Sequence, residues 1–532
     1  MIRKHRAPRS QPDVLLIVLD TLRADRLSCY GYPRETSPHL DAFAEDAVLF
    51  ERSVSPAQWT IPAHASIFTG EYPTTHMTTQ IYDKHSSDQP LLAELLSQEG
   101  YRTASFCNNP LLGVVENDLD RGFDEVYNYG GALPNRPAAA DSRPRIVGRA
   151  MRRLSQLGGR ITTPIQDLFA RNDWLLTLAL HPRIVNLWHA NVNFKGNTTQ
   201  SIRDLVGYLR THRKKKGERP LFTFVNLMET HLPYRPPQRF IQRFAPYYRS
   251  DREARDFMER YNLEHYRWMI PLEEPLSEVQ DRVLNDLYDA EIAYQDHLLR
   301  RVFEYLDQPE VRDNTLVIIT SDHGEGLNNH NFVGHSLVAY DDLVHVPLIV
   351  RYPRAYPQGK RVGNPVSARR IFHAALQAAG VDPEGNGSGS VPVDVDGLSL
   401  TQALNGSDPE EGIVFTEAYT PDTLITLMKS QTPAMIETFR CNQMRRAVYQ
   451  DTYKLITVGD EPDELFDVIA DPSELDNLIR QQPKTAAKLD SLLTTFRADA
   501  EARRPANWEA AQLRLDEDEE LMSRLRGLGY VE

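Results

Sequence analysis

The chain has 532 residues, of which 41% are hydrophobic and 25% charged, with a net charge of −14 at pH 7. That composition excludes a wholly disordered or fibrous chain, and the acidic balance offers no basic footprint for nucleic acid. No run of about 18 apolar residues exists to span a bilayer, and Cys29, Cys107 and Cys441 contain no CxxC pair that would mark a zinc site or a disulfide framework.

In chain order, the basic stretch 1–13 is followed by an apolar run too short for a signal-peptide core, so a cytoplasmic enzyme is the expectation. Residues 14–20 (VLLIVLD) form an unbroken apolar run ending in Asp20, as a strand buried on both faces would. Further strand-like runs occur at 103–107, 221–227, 315–320 and 346–351, with helical patterns between them. That alternation predicts a mainly parallel sheet covered on both faces. The longest helical pattern spans 276–306, with Val279, Val283, Leu287 and Ile292 near helical spacing. Residues 131–215 and 235–275 are less regular and are expected as insertions over the rim of the site. The stretch 382–390 (DPEGNGSGS) reads as a surface loop, and beyond it 413–418, 447–449 and 453–457 read as antiparallel strands. One large catalytic domain, 1–405, and a smaller C-terminal subdomain with a helical tail, 406–532, are expected.

The chemistry gathers at the ends of two of these runs. In parallel α/β sheets ligands collect at the carboxyl ends of the strands, so Asp20, Asp322 and His323 of the TSDHGE segment should share one rim across about 300 residues of sequence. Between the first strands lies 59–70 (WTIPAHASIFTG), where Pro62 suits the first turn of a helix and Thr60 stands at its N-terminus. Taken alone, Thr60 is more simply an N-cap. Beside a divalent ion, the same hydroxyl can ionise and attack a phosphorus or sulfur centre.

Taken together, the motifs DTLRAD at 20–25, CYG at 29–31, TIPAHASIFTG at 60–70, RGFDE at 121–125, HLPY at 231–234, YDAEIAY at 288–294, SDHGE at 321–325, GH at 334–335, HVPL at 345–348 and ELFD at 464–467 resemble the sulfatase family of the alkaline phosphatase superfamily. The resemblance implies an alkaline-phosphatase-like, mostly parallel α/β sheet flanked by helices, with a smaller C-terminal antiparallel α+β subdomain. It implies one divalent metal ion on Asp20, Asp322 and His323, with Thr60 as fourth ligand and nucleophile. His231 and His335 match positions that hold the substrate's non-bridging oxygens or protonate the leaving group, with His330 as the competitor of His335.

Two departures from the family pattern matter. Where its sulfate esterases carry Cys or Ser, oxidised to formylglycine, this chain has Thr60, whose secondary alcohol would oxidise to a ketone. The motif arginine is replaced by His64, which is counted with the catalytic set. The ligands include fewer carboxylates and one imidazole, which favours Zn²⁺ or Mn²⁺ over Ca²⁺. The expected activity is hydrolysis of a sulfate or phosphate ester, diester or phosphonate, on a small molecule or glycan. The alternatives are a soluble phospho-group transferase and an inactive binder of a sulfated or phosphorylated glycan.

Overall fold

The computed structural model describes residues 11–506 except 114, 116, 131–135, 138–194, 215–218, 264–267, 273 and 382–394, together with residue 508. Most of the 131–215 segment and all of 382–390 lie outside the described residues.

The apolar runs become the strands of one nine-stranded sheet: β1 (Asp13–Leu19), β2 (Val48–Val54), β3 (Arg102–Cys107), β4 (Glu125–Asn128), β5 (Leu221–Leu227) and β6 (Thr315–Thr320), with later strands at its far edge. Strand β1 lies in parallel between β5 and β6, and β3 continues in parallel from β5 to β4. The small strands β7 (Gly326–Leu327) and β8 (Val333–Gly334) pair only with each other, as a hairpin beyond the end of β6. Strand β9 (His345–Arg351) runs antiparallel to both β6 and β2, while β10 (Lys360–Val362) and β11 (Val366–Ser367) lie parallel to β2. The sheet is therefore mostly parallel, with an antiparallel insertion.

Both faces of the central strands are buried, which explains why they read as unbroken apolar runs. Leu15, Ile17 and Leu19 of β1 join one core with the helices Glu278–Leu306, Thr198–Lys214 and Arg252–Leu263. Val14, Leu16 and Val18 join the opposite core with Leu92–Gln98, Ile371–Ala379 and Thr60–Thr69. The Glu278–Leu306 helix starts where Ser277 accepts from the Gln280 amide while the Gln280 side chain accepts from the Ser277 amide, a reciprocal cap. In the 235–275 segment, helices Gln238–Phe244 and Arg252–Leu263 turn apolar residues inward. Phe240 and Phe244 pack on Ala290 and Ala293, and Phe257 joins the main core.

Several strands escaped the sequence pattern, β2 and β4 among them. Strand β2 is broken by Glu51 and Arg52, where its register with β9 shifts, and β4 is a half-buried edge of four residues.

Toward the C-terminus, β12 (Val414–Ala418), β13 (Arg445–Gln450), β14 (Tyr453–Val458) and β15 (Glu461–Asp467) form a separate antiparallel sheet in sequential order. The helix Pro483–Ala502 covers it through Leu489, Leu493 and Phe496. Polar contacts fasten this sheet to the larger one. Glu417 accepts from the Thr74 amide at 2.7 Å, and buried Lys454 of β14 reaches Asp341 at 2.8 Å and Glu474 at 2.6 Å. Tyr449 donates to the same Asp341 carboxylate.

Removing the cation from this buried group leaves two carboxylates together without compensation, which costs more than the intact pair contributes. Lys454→Met is expected to lose about 3–5 kcal/mol of stability, read as a lower urea midpoint at constant slope. An unchanged midpoint would show that the group is solvated rather than buried.

Candidate functional site

Four parallel strands end on one rim, and the polar residues that follow them converge there. Asp20 is the first residue past β1, and Asp322 and His323 follow β6 by two and three positions. Asn108 and Asn109 follow β3, and His231 lies four residues past β5. Thr60 reaches the same place as the first residue of the helix Thr60–Thr69. One carboxylate oxygen from each of Asp20 and Asp322 and one ring nitrogen of His323 lie within 4.8 Å of one another. Thr60 Oγ1 is 3.3 Å from His323 Nε2.

Local backbone features aim these groups. Thr21 is left-handed, with φ 59°, and its hydroxyl accordingly donates to the Asp20 carbonyl at 2.7 Å, a conformation that costs a β-branched residue energy and persists only where its surroundings enforce it. Its amide donates to Asp322 Oδ1 at 3.2 Å, so the two strand ends are tied directly. Gly324 has no alternative, because a Cβ there would collide with the carbonyl oxygen of Asp342.

The donor set fits a cation. Asp20, Asp322 and His323 are fully buried, yet Asp20 Oδ1 and Asp322 Oδ2 have no hydrogen-bond donor among the described residues. The other oxygens are engaged: Asp20 Oδ2 accepts from Asn109 at 2.7 Å and Asn226 at 3.1 Å, and Asp322 Oδ1 accepts from the amides of Thr21 and His323. His323 Nδ1 donates to the Gly324 carbonyl at 2.8 Å, which leaves the Nε2 lone pair facing the two bare oxygens, 3.4 Å from Asp322 Oδ2. A metal-ligating histidine takes this form, with one nitrogen free and the other tied to an oxygen. Burial, with the neighbouring Asp20 charge, pushes the Asp322 carboxyl well above the usual carboxylate range, and burial pulls His323 well below the usual imidazole range. Two carboxylates and a neutral imidazole crowded out of water favour a positive ion between them.

The remaining histidines divide into three placements. His231 and His335 form a pair with ring centroids 4.9 Å apart, and His335 lies 4.5 Å from the His323 ring. His231 Nδ1 donates to the Leu232 carbonyl at 2.7 Å, and burial followed by the adjacent His335 lowers its pKa. Burial pulls His335 down as well, but Glu325, 2.9 Å from its Nδ1, overrides that and leaves it raised. His64 lies behind Thr60 rather than beside the pair. Its Nδ1 donates to the Thr60 carbonyl at 2.9 Å and is 3.4 Å from Asp322 Oδ2, while its ring packs edge-on against Phe68 and Phe224. His330 is elsewhere, stacked on Tyr340 at 3.7 Å and pushed down to about 4 by burial.

Three residues with a part in this geometry were given no role from the sequence, Glu325 among them although it closes the SDHGE motif. Asn109 and Asn226 hold Asp20, and Glu325 holds His335. Asn226 had a signal, being a lone amide inside the apolar run LFTFVNL, where a polar side chain needs a buried partner.

Comparison with known proteins shows the family and the fold. A profile of the sulfatase family matches residues 12–381. The chain is 24% identical over 483 residues to an ulvan-active sulfatase of Formosa agariphila, covering 88% of this chain and 77% of that protein. It is 22% identical over 506 residues to an N-acetylglucosamine-6-O-sulfatase of Bacteroides thetaiotaomicron, covering 88% and 82%. The crystal structure of the phosphonate monoester hydrolase of Agrobacterium radiobacter shares the fold, with a TM-score of 0.63 and 22% identity over 92% of this chain and 96% of that one.

Amides that orient a metal-binding carboxylate typically change metal affinity by 10–100-fold. Asn109→Ala is expected to weaken divalent-ion binding by about that factor, and Asp322→Asn to reduce it further, measured by titration calorimetry on chelator-treated protein. Equal affinities for all three proteins would mean that the ion sits elsewhere.

Proposed function

The chain belongs to the sulfatase family of hydrolases, and from that premise we propose that it is a metal-dependent ester hydrolase in which Thr60 itself is the nucleophile. The observation that carries this reading is Thr60 Oγ1, 3.3 Å from the free nitrogen of His323 at the start of a helix, beside two carboxylate oxygens that lack donors. Asp20, Asp322, His323 and Thr60 would hold the ion. When bound, a divalent cation supplies the positive charge that lowers the pKa of a hydroxyl and offsets charge developing on a transferred group. The carboxylate, imidazole and hydroxyl donors favour Zn²⁺ or Mn²⁺ over Ca²⁺.

In the proposed reaction the Thr60 hydroxyl loses its proton to solvent and its oxygen attacks the sulfur or phosphorus centre. The bond to the leaving oxygen breaks in line. One of His231 and His335 gives that oxygen a proton, and the free amides of the first turn of Thr60–Thr69 favour the anionic group being transferred. Water then attacks the threonine ester, the bond to the Thr60 oxygen breaks and that oxygen regains a proton from solvent, while the histidine that gave its proton recovers one from the attacking water. His64 holds the Thr60 carbonyl and the first turn of the helix in place.

A plain hydroxyl nucleophile favours phosphorus. Threonine cannot become the aldehyde that sulfate esterases of the family use, so a phosphodiester or phosphonate monoester is the preferred substrate and a sulfate ester the second. One ion neutralises a singly charged centre better than a doubly charged monoester, which usually meets a two-metal clamp. The ulvan-active and N-acetylglucosamine-6-O-sulfatase relatives support an ester carried on a sugar.

The test compares kcat/KM of the metal-loaded protein on an aryl phosphodiester and on the matching aryl sulfate. The diester is expected to be faster, and Thr60→Ala to lower kcat on both by about 10⁴-fold or more, while Thr60→Ser keeps measurable turnover. Near-native rates for Thr60→Ala would remove threonine from the chemistry. A preference for the sulfate ester would overturn the choice of phosphorus.

A further inference from the structure

Glu325 is two residues from His323 and fully buried, which makes it an apparent further ligand for the ion. Its contacts exclude that role. In Asp20 and Asp322 one oxygen of each carboxylate is left bare, whereas both Glu325 oxygens are already engaged. Oε1 accepts from His335 Nδ1 at 2.9 Å, and Oε2 accepts from the Tyr234 hydroxyl at 3.2 Å. Its backbone carbonyl accepts from the buried Arg23 guanidinium at 3.2 Å.

The two partners belong to the two loops that carry the histidine pair. His335 follows β8 of the hairpin, and Tyr234 lies three residues after His231. Tyr234 is itself immobilised. Its amide donates to Asn262 at 2.7 Å, its carbonyl accepts from the same side chain at 2.9 Å, and its ring meets Tyr261 and Tyr288, each at 5.7 Å between centroids.

We infer that Glu325 is a positioning residue for the histidine pair: one carboxylate oxygen fixes the tautomer and ring plane of His335, and the other anchors the loop that carries His231. With Nδ1–H held by Glu325, His335 presents Nε2 toward His231 and His323, which lie 4.9 and 4.5 Å away between ring centroids. A buried carboxylate that receives Nδ1–H determines which imidazole nitrogen is offered to a reacting group, and it does so without touching that group. The inference rests on the reading of this site as an ester hydrolase with His335 at the reacting centre.

The experiment is a double-mutant cycle on the metal-loaded full chain, with Glu325→Ala, His335→Ala and the pair, assayed on an aryl phosphodiester and an aryl sulfate. Glu325→Ala alone is expected to lower kcat by about 10²-fold while KM and bound metal stay near the parent values. On top of His335→Ala it should add clearly less than it costs alone, about 10-fold or less, because only its hold on the His231 loop is then left to lose. Glu325→Gln keeps an acceptor for Nδ1–H and should lose less than Glu325→Ala. It also serves for the cycle if the alanine protein does not fold.

A full, additive loss in the His335→Ala background would overturn the inference, as would a fall in metal content that parallels kcat, or a near-native rate for His335→Ala. Thr60→Ala is run beside the cycle. If it is inactive while the cycle is additive, only the role of Glu325 fails. If it is active, the reading of the site fails first.

Discussion

The structure depends on holding the carboxylates of Asp20 and Asp322 against each other out of water. Two like charges in a low-dielectric rim repel and each has lost its hydration, so holding them there is costly unless donors or a cation offset it. The surrounding residues supply part of that compensation and stop short of completing it. Asn109 and Asn226 take one Asp20 oxygen and two backbone amides take one Asp322 oxygen, which leaves one bare oxygen on each carboxylate facing the free nitrogen of His323. An incomplete shell of this kind suits a small positive ion.

The parallel sheet is what permits such crowding. Strands β1, β3, β5 and β6 lie side by side and point the same way, so residues far apart in the chain leave the sheet at one edge. Each strand is clamped by core on both faces, and the rim residues inherit that rigidity. The left-handed backbone at Thr21 is tolerated because its amide and hydroxyl are both bonded within this frame.

Compensation extends outward in layers. The hairpin of β7 and β8 brings His335 back over the rim, and the segment after it is fastened by Asp341 to Lys454 on β14 of the C-terminal sheet. Glu417 likewise holds the Thr74 amide just beyond the helix that begins with Thr60.

Much of this was legible in sequence because burial on both faces leaves a plain mark. The runs at 14–20 and 315–325 announce central strands, and hard ligands directly after them announce a rim; TIPAHASIFTG announces a helix beginning at Thr60. Strand β2 was hidden because Glu51 and Arg52 interrupt its apolar pattern, and the antiparallel direction of β9 leaves no trace in a buried run whose composition suits either direction. Among the histidines, HLPY and GH marked His231 and His335, while His330, only five positions before His335, lies on the other side of β8. Fold class was thus determined by sequence alone, and candidate ligands could be named from it, because periodicity and side-chain chemistry are local properties. Which groups meet was decided only by the tertiary structure: that Asn226 bonds Asp20, that Glu325 bonds His335 and Tyr234, and that His64 bonds the Thr60 carbonyl. Those pairings depend on strand register and loop return, which bring distant residues within hydrogen-bonding range and are not encoded at either position by itself.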